Sequence, residues 1–370
     1  MKKDFGEIIK LFEDNGVYRL DGDTECVEYY VTNSRRLDIS DITEGYVFRL
    51  DSIDNKAPAI TVHDRTALLL IAKYGVLNFQ DLRFAMKLRK QIEPDTCVYE
   101  IRENSELKSM LDKKLVSKGL VVRCRIKHEY MLDNENITRH GYAYSATAKG
   151  INVVNGSMNC TLKDSNTFRL LDDVNIRDNV GRMATAHIAL YLTQYGFNVL
   201  ENHYSNVKGG AVERYVLLSY NSNQNIEVLF QPLYFVRNTK IETEAEFNEK
   251  IKNLVNNVFR WVAGVSEFEK DGEAAKRIVV LACNSIKDYV QFCNFLIDFF
   301  SLRDFFDLVG CVYATSTGIV DAARTPDEAF YRHTSIADKD GKRVPVGGEM
   351  ASFFNWEETN EERKLNRQEN

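Results

Sequence analysis

Basic side chains are concentrated in one short stretch of the chain. Between residues 105 and 127 there are seven basic and two acidic side chains. Lysine and arginine neutralise phosphates, so the chemistry that this stretch offers is binding to a nucleic-acid backbone. The block around it, residues 61–150, carries 16 basic and 11 acidic side chains, net +5. Because residues 1–60 (8 and 13, net −5) and 151–370 (24 and 30, net −6) are acidic, only the middle block is predicted to attract a polyanion.

A helix and a strand are predicted to hold these basic residues. Asn104 or Ser105 begins the helix, Lys118-Gly119 ends it, and its inward positions are Leu107, Met110, Leu111 and Leu115. In the strand that follows, apolar Leu120, Val122, Cys124 and Ile126 alternate with a mostly basic set, Val121, Arg123, Arg125 and Lys127. The outer side of the helix and the basic face of the strand supply the predicted DNA-binding residues: Ser105, Lys108, Ser109, Lys113, Lys114, Lys118, Arg123, Arg125 and Lys127.

The neighbouring segments predict the scaffold of this block, residues 61–154. Asp64 is predicted to be the N-cap of a first helix that ends at Gly75, and Asn78 begins a second helix. A turn at 133–136 leads to a return strand over about residues 139–146. Three helices followed by a hairpin are typical of a winged helix-turn-helix.

The third block, residues 167–320, has a different pattern. A helix over 178–194 precedes three strand patterns, and a capping box, Thr243 and Glu246, begins a strongly amphipathic helix. The apolar run 277–283 indicates a buried parallel strand, and residues 286–300 form an almost wholly apolar helix. The order predicts a mixed sheet covered on both faces, as in restriction-endonuclease-like folds, and an α/β chain that is α+β overall.

Nuclease chemistry would need at least two acids converging on one Mg²⁺ and generally a lysine. Glu227 lies on the expected strand, but alternation places Leu229 where the second acid or the lysine would stand. Glu201 and Glu213 are isolated acids elsewhere. We therefore expect no catalytic residues and predict that Glu227 pairs with Arg214 or Arg237.

The sequence gives little support for a zinc site, a nucleotide-binding loop or a serine nucleophile. Cys124, His128 and His140 have no standard zinc spacing and lack a fourth ligand, and neither a P-loop nor a G-x-S-x-G motif is present. We expect neither a metal nor a cofactor.

The absence of a signal peptide and of an 18-residue apolar run, with seven scattered cysteines, predicts a cytoplasmic protein with reduced thiols and no membrane partner.

Three segments resemble a known family: HDRTALLLIAKYGVLNFQDLRFAM, SELKSMLDKKLVSKGLVVRCRI and YAYSATAKG. They resemble the N-terminal winged helix of the replication-relaxation family, whose members occur on conjugative plasmids and other mobile elements. The resemblance, over about residues 60–315, implies a second, restriction-endonuclease-like domain. It also implies an acid-x-acid pair near Glu227, which Leu229 breaks, and a basic residue on the next helix, for which Lys250 and Lys252 are approximate counterparts.

The first hypothesis is a non-enzymatic DNA-binding protein of a mobile element that acts at a replication or transfer origin. Its partners would be double-stranded DNA, a relaxase or replication protein, and a second copy in a homodimer. Two alternatives remain: a metal-dependent endonuclease using Glu201, Glu213 and Glu227, and a protein-interaction module that does not bind DNA. Residues 1–60 are predicted to be an acidic α/β extension, and residues 321–370 a polar, partly disordered tail.

Overall fold

The described part of the chain contains both helices and strands throughout, which confirms a mixed, α+β protein. The structure is a computed structural model, and it describes residues 24–30, 36–37, 61–92, 104–132, 135–158, 173–194, 197–207, 210–219, 225–233, 243–263, 269–270, 273–274, 276–283, 312–324, 326–332, 334–337 and 343–346. Most of the predicted N-terminal extension and the helix predicted over residues 286–300 lie outside these ranges. Within them, every helix is too short or too polar to cross a membrane.

The described residues form two compact units. The first, which we call the hairpin unit, lies within residues 20–190 and includes 201–204. The second, the mixed-sheet unit, comprises 191–200 and the described residues from 205 onward.

The hairpin unit contains three helices and a sheet dominated by one long hairpin. Its helices are α1 (Val62–Tyr74), α2 (Phe79–Ile92), and α3 (Asn104–Met110), which a π-helical segment (Leu111–Val116) extends. We refer to residues 104–116 as the third helix. The strands are β1 (Thr24–Tyr30), β2 (Arg36–Leu37), β3 (Val76–Asn78), β4 (Val121–Leu132) and β5 (Glu135–Ala146), in the order β2-β1-β4-β5-β3. Helices α4 (Ala148–Met158) and α5 (Asp173–Gln194) follow.

The start of α1 differs from the prediction by three residues. Thr61, not Asp64, is the N-cap: the backbone N–H and the hydroxyl of Thr61 both donate to Asp64 Oδ2, at 2.8 and 2.7 Å. In return the Asp64 N–H donates to the Thr61 hydroxyl at 3.3 Å. Asp64 is therefore the third residue of a capping box, which uses an acid there as well as a hydroxyl at the cap. The predicted end of the helix at Gly75 is confirmed.

Two short elements were absent from the predicted scaffold. Strand β3, which connects α1 to α2 in the chain, pairs with residues 143–145 of β5 and forms one edge of the sheet. Helix α4 continues past residue 154, where the middle block was predicted to end. Gly150 allows α4 to lie close to Leu120, the residue before β4, because a Cβ at this position would be 2.2 Å from the carbonyl oxygen of Leu120.

Segments from outside residues 61–154 complete the hairpin unit. Strands β1 and β2 belong to the block that was predicted as a separate extension, yet β1 pairs with β4. Helix α5, up to Leu190, was predicted to belong to the third block. His187 of α5 lies 2.7 Å from the buried carboxylate of Asp81, which also accepts a hydrogen bond from the Asn78 side chain at 2.6 Å.

The mixed-sheet unit is built on strands of both orientations, as predicted. The sheet contains β6 (Phe197–Val207), β7 (Gly210–Ser219), β8 (Asn225–Leu233), β11 (Lys276–Cys283), β12 (Val312–Thr315) and β13 (Tyr331–Arg332), in the order β13-β12-β11-β8-β7-β6. Strands β8, β11 and β12 are parallel, whereas β7 and β13 run antiparallel to their neighbours. Residues 278–283 of β11 are all buried, which confirms the predicted buried parallel strand.

The predicted capping box begins the long helix of this unit. Glu246 Oε2 accepts hydrogen bonds from the N–H and hydroxyl of Thr243, both at 2.8 Å, at the start of α6 (Glu244–Ala263). Leu254 and Val258 of the predicted apolar stripe are buried. Strands β9 (Glu269–Lys270) and β10 (Glu273–Ala274) form a small hairpin between α6 and β11.

The fold continues past residue 320, where a polar tail was predicted to begin. Helices α7 (Thr317–Ala322) and α8 (Pro326–Ala329) precede β13, and strands β14 (Thr334–Ala337) and β15 (Arg343–Val346) form a further hairpin. Ala329 and Phe330 are completely buried, and the Thr315 hydroxyl donates to the Ala329 carbonyl at 2.6 Å. Ala329 and Phe330 therefore extend the core beyond residue 320. Residues 347–370 lie outside the described residues.

Candidate nucleic-acid interface

The third helix divides into a buried side and an exposed side. Leu107, Leu111 and Leu115 are buried, as the periodicity predicts, and Val116 is buried as well. Met110, predicted to point inward, is partly exposed. Five of the predicted DNA-binding residues are exposed on this helix: Ser105, Lys108, Ser109, Lys113 and Lys114.

The end of the third helix is wound more loosely than an α-helix. The Ser117 N–H donates to the carbonyl of Asp112, five residues earlier, at 3.1 Å, and the Leu120 N–H bonds in the same way to Leu115 at 3.0 Å. Gly119 adopts a φ of 67°, a left-handed conformation that glycine accepts without a steric penalty. This confirms the predicted termination and turns the chain directly into β4. Lys118, beside it, is partly exposed.

Arg123 connects the third helix to the hairpin. It forms an ion pair with Asp112, and its side chain is only 12% exposed. Its guanidinium carbon lies 5.1 Å from the centre of the Tyr142 ring, and the ammonium nitrogen of Lys108 lies 5.6 Å from the same centre. The strand alternation had predicted an Arg123 that faces solvent. Its placement instead fixes the orientation of the helix on the sheet.

Tyr144 lies directly beneath this contact. Its residue is fully buried, and it pairs with Arg123 across the β4–β5 ladder. Burial raises the pKa of the Tyr144 phenol far above its usual value, and the nearby Asp112 carboxylate raises this pKa further. Tyr144 therefore stays neutral and is part of the core next to the Arg123–Asp112 pair.

A groove of about 580 Å³ runs beside the exposed side of the third helix, between that helix, the start of α1 and Met86 of α2. Asp64 lies in its wall, with a side chain 2% exposed. Lys114, 48% exposed, reaches into the groove, and its ammonium nitrogen is 3.5 Å from Asp64 Oδ1. Asp64 thus offsets part of the Lys114 charge. Lys108 and Lys113 therefore contribute more than Lys114 to the positive potential on the exposed side of the third helix.

Arg125 and Lys127 are placed by strand register. In the β4–β5 ladder Arg125 pairs with Tyr142 and Lys127 with His140. On the other edge of β4, Arg125 pairs with Glu28 and Lys127 with Glu25 of β1. Their side chains, and those of Cys124, His128 and His140, lie outside the described residues. Among the described side chains, no group of three His, Cys, Asp or Glu residues could together hold a metal ion.

Glu227, the acid considered for nuclease chemistry, is fully buried in an ion pair. The Arg277 Nε atom donates to Glu227 Oε2 at 2.8 Å, and a second nitrogen of Arg277 donates to the Trp261 carbonyl at 2.9 Å. The sequence had not suggested Arg277 as a partner; of the two predicted partners, Arg237 and the side chain of Arg214 lie outside the described residues. The parallel β8–β11 register places Arg277 directly beside Glu227, whereas the antiparallel β7–β8 register places Val216 opposite it and Arg214 opposite Leu229.

Sequence reasoning missed Tyr142, Arg277 and Trp261. The only sequence signal for Arg277 was its position at the start of the buried run RIVVLAC, where an arginine next to apolar residues needs an acidic neighbour. Tyr142 gave no signal, since its role depends on how the third helix packs.

Comparison of the chain with models of protein families, with curated proteins and with solved structures finds no significant match. The arrangement of residues described above is therefore the basis for assigning a function.

Proposed function

We propose that the hairpin unit is a winged helix-turn-helix that binds double-stranded DNA through the third helix. The observation that carries the proposal is the exposure of Lys108 and Lys113 together with Ser105 and Ser109 on a helix whose other side is core. The element order α1-β3-α2-third helix-β4-β5 supports it. So does the pairing of β3 with β5, because β3, β5 and β4 are then adjacent in the sheet, as expected for a winged helix.

The chemistry of these side chains suits two tasks. Lysines on an exposed helix neutralise phosphates and set the register of the protein on the duplex. Serine hydroxyls can donate to or accept from base edges in the major groove, which admits one α-helix. The Arg123–Asp112 pair and the Tyr142 ring would hold the helix at a fixed angle while it does so, which reduces the entropy lost on binding.

We propose a non-catalytic role for the mixed-sheet unit, whether or not its fold is restriction-endonuclease-like. Glu227 is the acid on the expected strand, and its bond to Arg277 in a buried site leaves it poorly suited to bind Mg²⁺. Leu229, two residues on, is buried as well. This favours a role in dimerisation or in recruiting a protein partner over the endonuclease alternative.

The biological setting is also a proposal. The resemblance of residues 63–86, 105–126 and 142–150 to the replication-relaxation family favours action at a replication or transfer origin of a mobile element. A relaxase or replication protein would then be the partner.

The test is DNA binding by a Lys108→Ala/Lys113→Ala variant, measured by fluorescence anisotropy on a labelled duplex over a range of salt. Each lost phosphate contact should reduce the slope of log K against log salt by about 0.9, so the double variant should lose about two units. Between about 50 and 200 mM salt, its affinity should change roughly tenfold less than that of the wild type.

The matched control is Lys252→Ala, which removes an exposed helical lysine from α6 of the mixed-sheet unit. It should bind with the wild-type slope. An unchanged slope in the Lys108/Lys113 variant would remove the third helix as the contact, and no binding by the wild type at low salt would favour the protein-interaction alternative. Cutting of the same duplex in Mg²⁺, lost in Glu227→Gln, would support the endonuclease.

A further inference from the structure

An acidic strand lies along the outer edge of the basic hairpin. Strand β1 is antiparallel to β4, and its two acids take register positions opposite the two predicted phosphate-binding cations of β4. Glu25 pairs with Lys127, and Glu28 pairs with Arg125. In an antiparallel ladder, residues directly opposite each other are nearest neighbours on one face, and opposite charges there attract.

The pairing depends on an irregularity in β1. The acids are three residues apart, but Arg125 and Lys127 are two apart, so a regular ladder would align only one acid with a cation. The register shifts between Cys26 and Glu28, which leaves Val27 as the extra residue of a bulge. A bulge moves later residues to the other face of the strand, and this one brings Glu28 opposite Arg125.

We propose that β1 is an intramolecular acidic strand that competes with DNA phosphates for Arg125 and Lys127. The inference rests on the proposed function, because it concerns regulation of that same interface. The block containing β1 has a net charge of −5, equal and opposite to the +5 of residues 61–150. Glu25 and Glu28 lower the positive potential along β4, so the wing contributes fully to DNA binding only when these charges are neutralised or β1 is displaced.

The experiment removes the two charges and keeps the length of the side chains. A Glu25→Gln/Glu28→Gln variant should bind duplex DNA more tightly than the wild type at low salt. If both cations are released to phosphates, the salt slope should steepen by up to about 1.8, which is roughly a tenfold larger change in affinity between about 50 and 200 mM salt. The control is Glu249→Gln/Asp321→Asn, which removes two exposed acids from the mixed-sheet unit and should change neither quantity beyond a general charge effect.

A second pair of variants tests whether the gain in DNA affinity depends on the cations of β4. In an Arg125→Ala/Lys127→Ala background, the two glutamines should produce no gain. Circular dichroism and thermal unfolding would verify that each variant is folded, and a duplex-binding gain of the same size in the control or in this background would overturn the proposal.

The outcomes separate this inference from the proposed function. If Lys108→Ala/Lys113→Ala weakens binding while the glutamine variant behaves as the wild type, DNA binding stands and the competing role of β1 is wrong. If neither the lysine variant nor the glutamine variant changes binding, both proposals fail.

Discussion

Each unit contains an arginine that pairs with an acid and lies over an aromatic ring. In the hairpin unit Arg123 pairs with Asp112, and its guanidinium carbon is 5.1 Å from the centre of the Tyr142 ring. In the mixed-sheet unit Arg277 pairs with Glu227, and the corresponding distance to Trp261 is 4.8 Å. The two arginine side chains are equally exposed, at 12%, but the Asp112 side chain is 26% exposed and the Glu227 side chain is completely buried.

The two ion pairs are chemically alike, but they have different roles because their acids are buried to different extents. Asp112 is in partial contact with water, so its pairing with Arg123 orients a helix at the surface at a modest desolvation cost. Glu227 has no contact with water, and an ionised carboxylate in such a site requires a compensating charge. The same kind of ion pair therefore supports a proposed interface in one unit and occupies the best candidate for a metal ligand in the other.

The largest effect should come from breaking the buried pair. Arg277→Ala leaves Glu227 buried without its cation, and the loss of one partner from a buried ion pair typically costs about 3–5 kcal/mol. Urea denaturation should show this loss in the transition of the mixed-sheet unit. Arg260→Ala, at an exposed position on α6, is the control and should change stability by less than about 0.5 kcal/mol. Equal effects of the two variants would contradict the buried role of Arg277.

Arg123→Ala should have a smaller effect on stability, about 1–3 kcal/mol, since the charge-assisted hydrogen bond that it loses has a partly exposed acceptor. The salt dependence of DNA binding distinguishes two roles for this residue. As a positioning residue, Arg123 should lower affinity when removed but leave the salt slope unchanged. A slope reduced by about one unit would instead identify it as a phosphate contact, as the strand pattern predicted.

The smallest effect concerns Glu246, an exposed acid that contrasts with buried Glu227. Hydrogen bonds from the Thr243 backbone N–H and then from the Thr243 hydroxyl lower the pKa of this carboxyl. Its contribution to the stability of α6 is thus fully present above the pKa of the unfolded chain and is lost as the pH falls through the lower, folded value. An NMR titration should give a midpoint below that of the unfolded chain, and Glu246→Gln should remove this part of the pH dependence. A midpoint at or above the unfolded value would contradict the capping box.

The predictions that succeeded concern interactions between residues that are close in sequence. The capping box at Thr243, the buried positions of the third helix and the end of that helix at Gly119 depend on contacts within about one helical turn. The Asp64 error is instructive, since the acid was recognised correctly as a helix-start signal but assigned to the wrong position. Thr61, three residues earlier, offers the hydroxyl that completes the motif.

The misses concern pairings across long stretches of chain. Glu227 and Arg277 are 50 residues apart, and only the parallel register of β8 and β11 makes them neighbours. The pattern of charges in β1 could not reveal its partner strand, because Glu25 and Glu28 face Lys127 and Arg125 only through a bulge that the sequence does not indicate.

The sequence by itself determined where charge accumulates, where the main helices and the buried strand β11 lie, and which lysines lie on the outer side of one helix. These properties follow from composition and from periodicities of 3.6 and 2 residues. Tertiary structure decided that Arg123 is turned inward to Asp112, that Glu227 is paired with Arg277, and that an acidic strand borders the basic hairpin. Each of these depends on strand register and packing, and a shift of one residue in register would bring a different side chain into place.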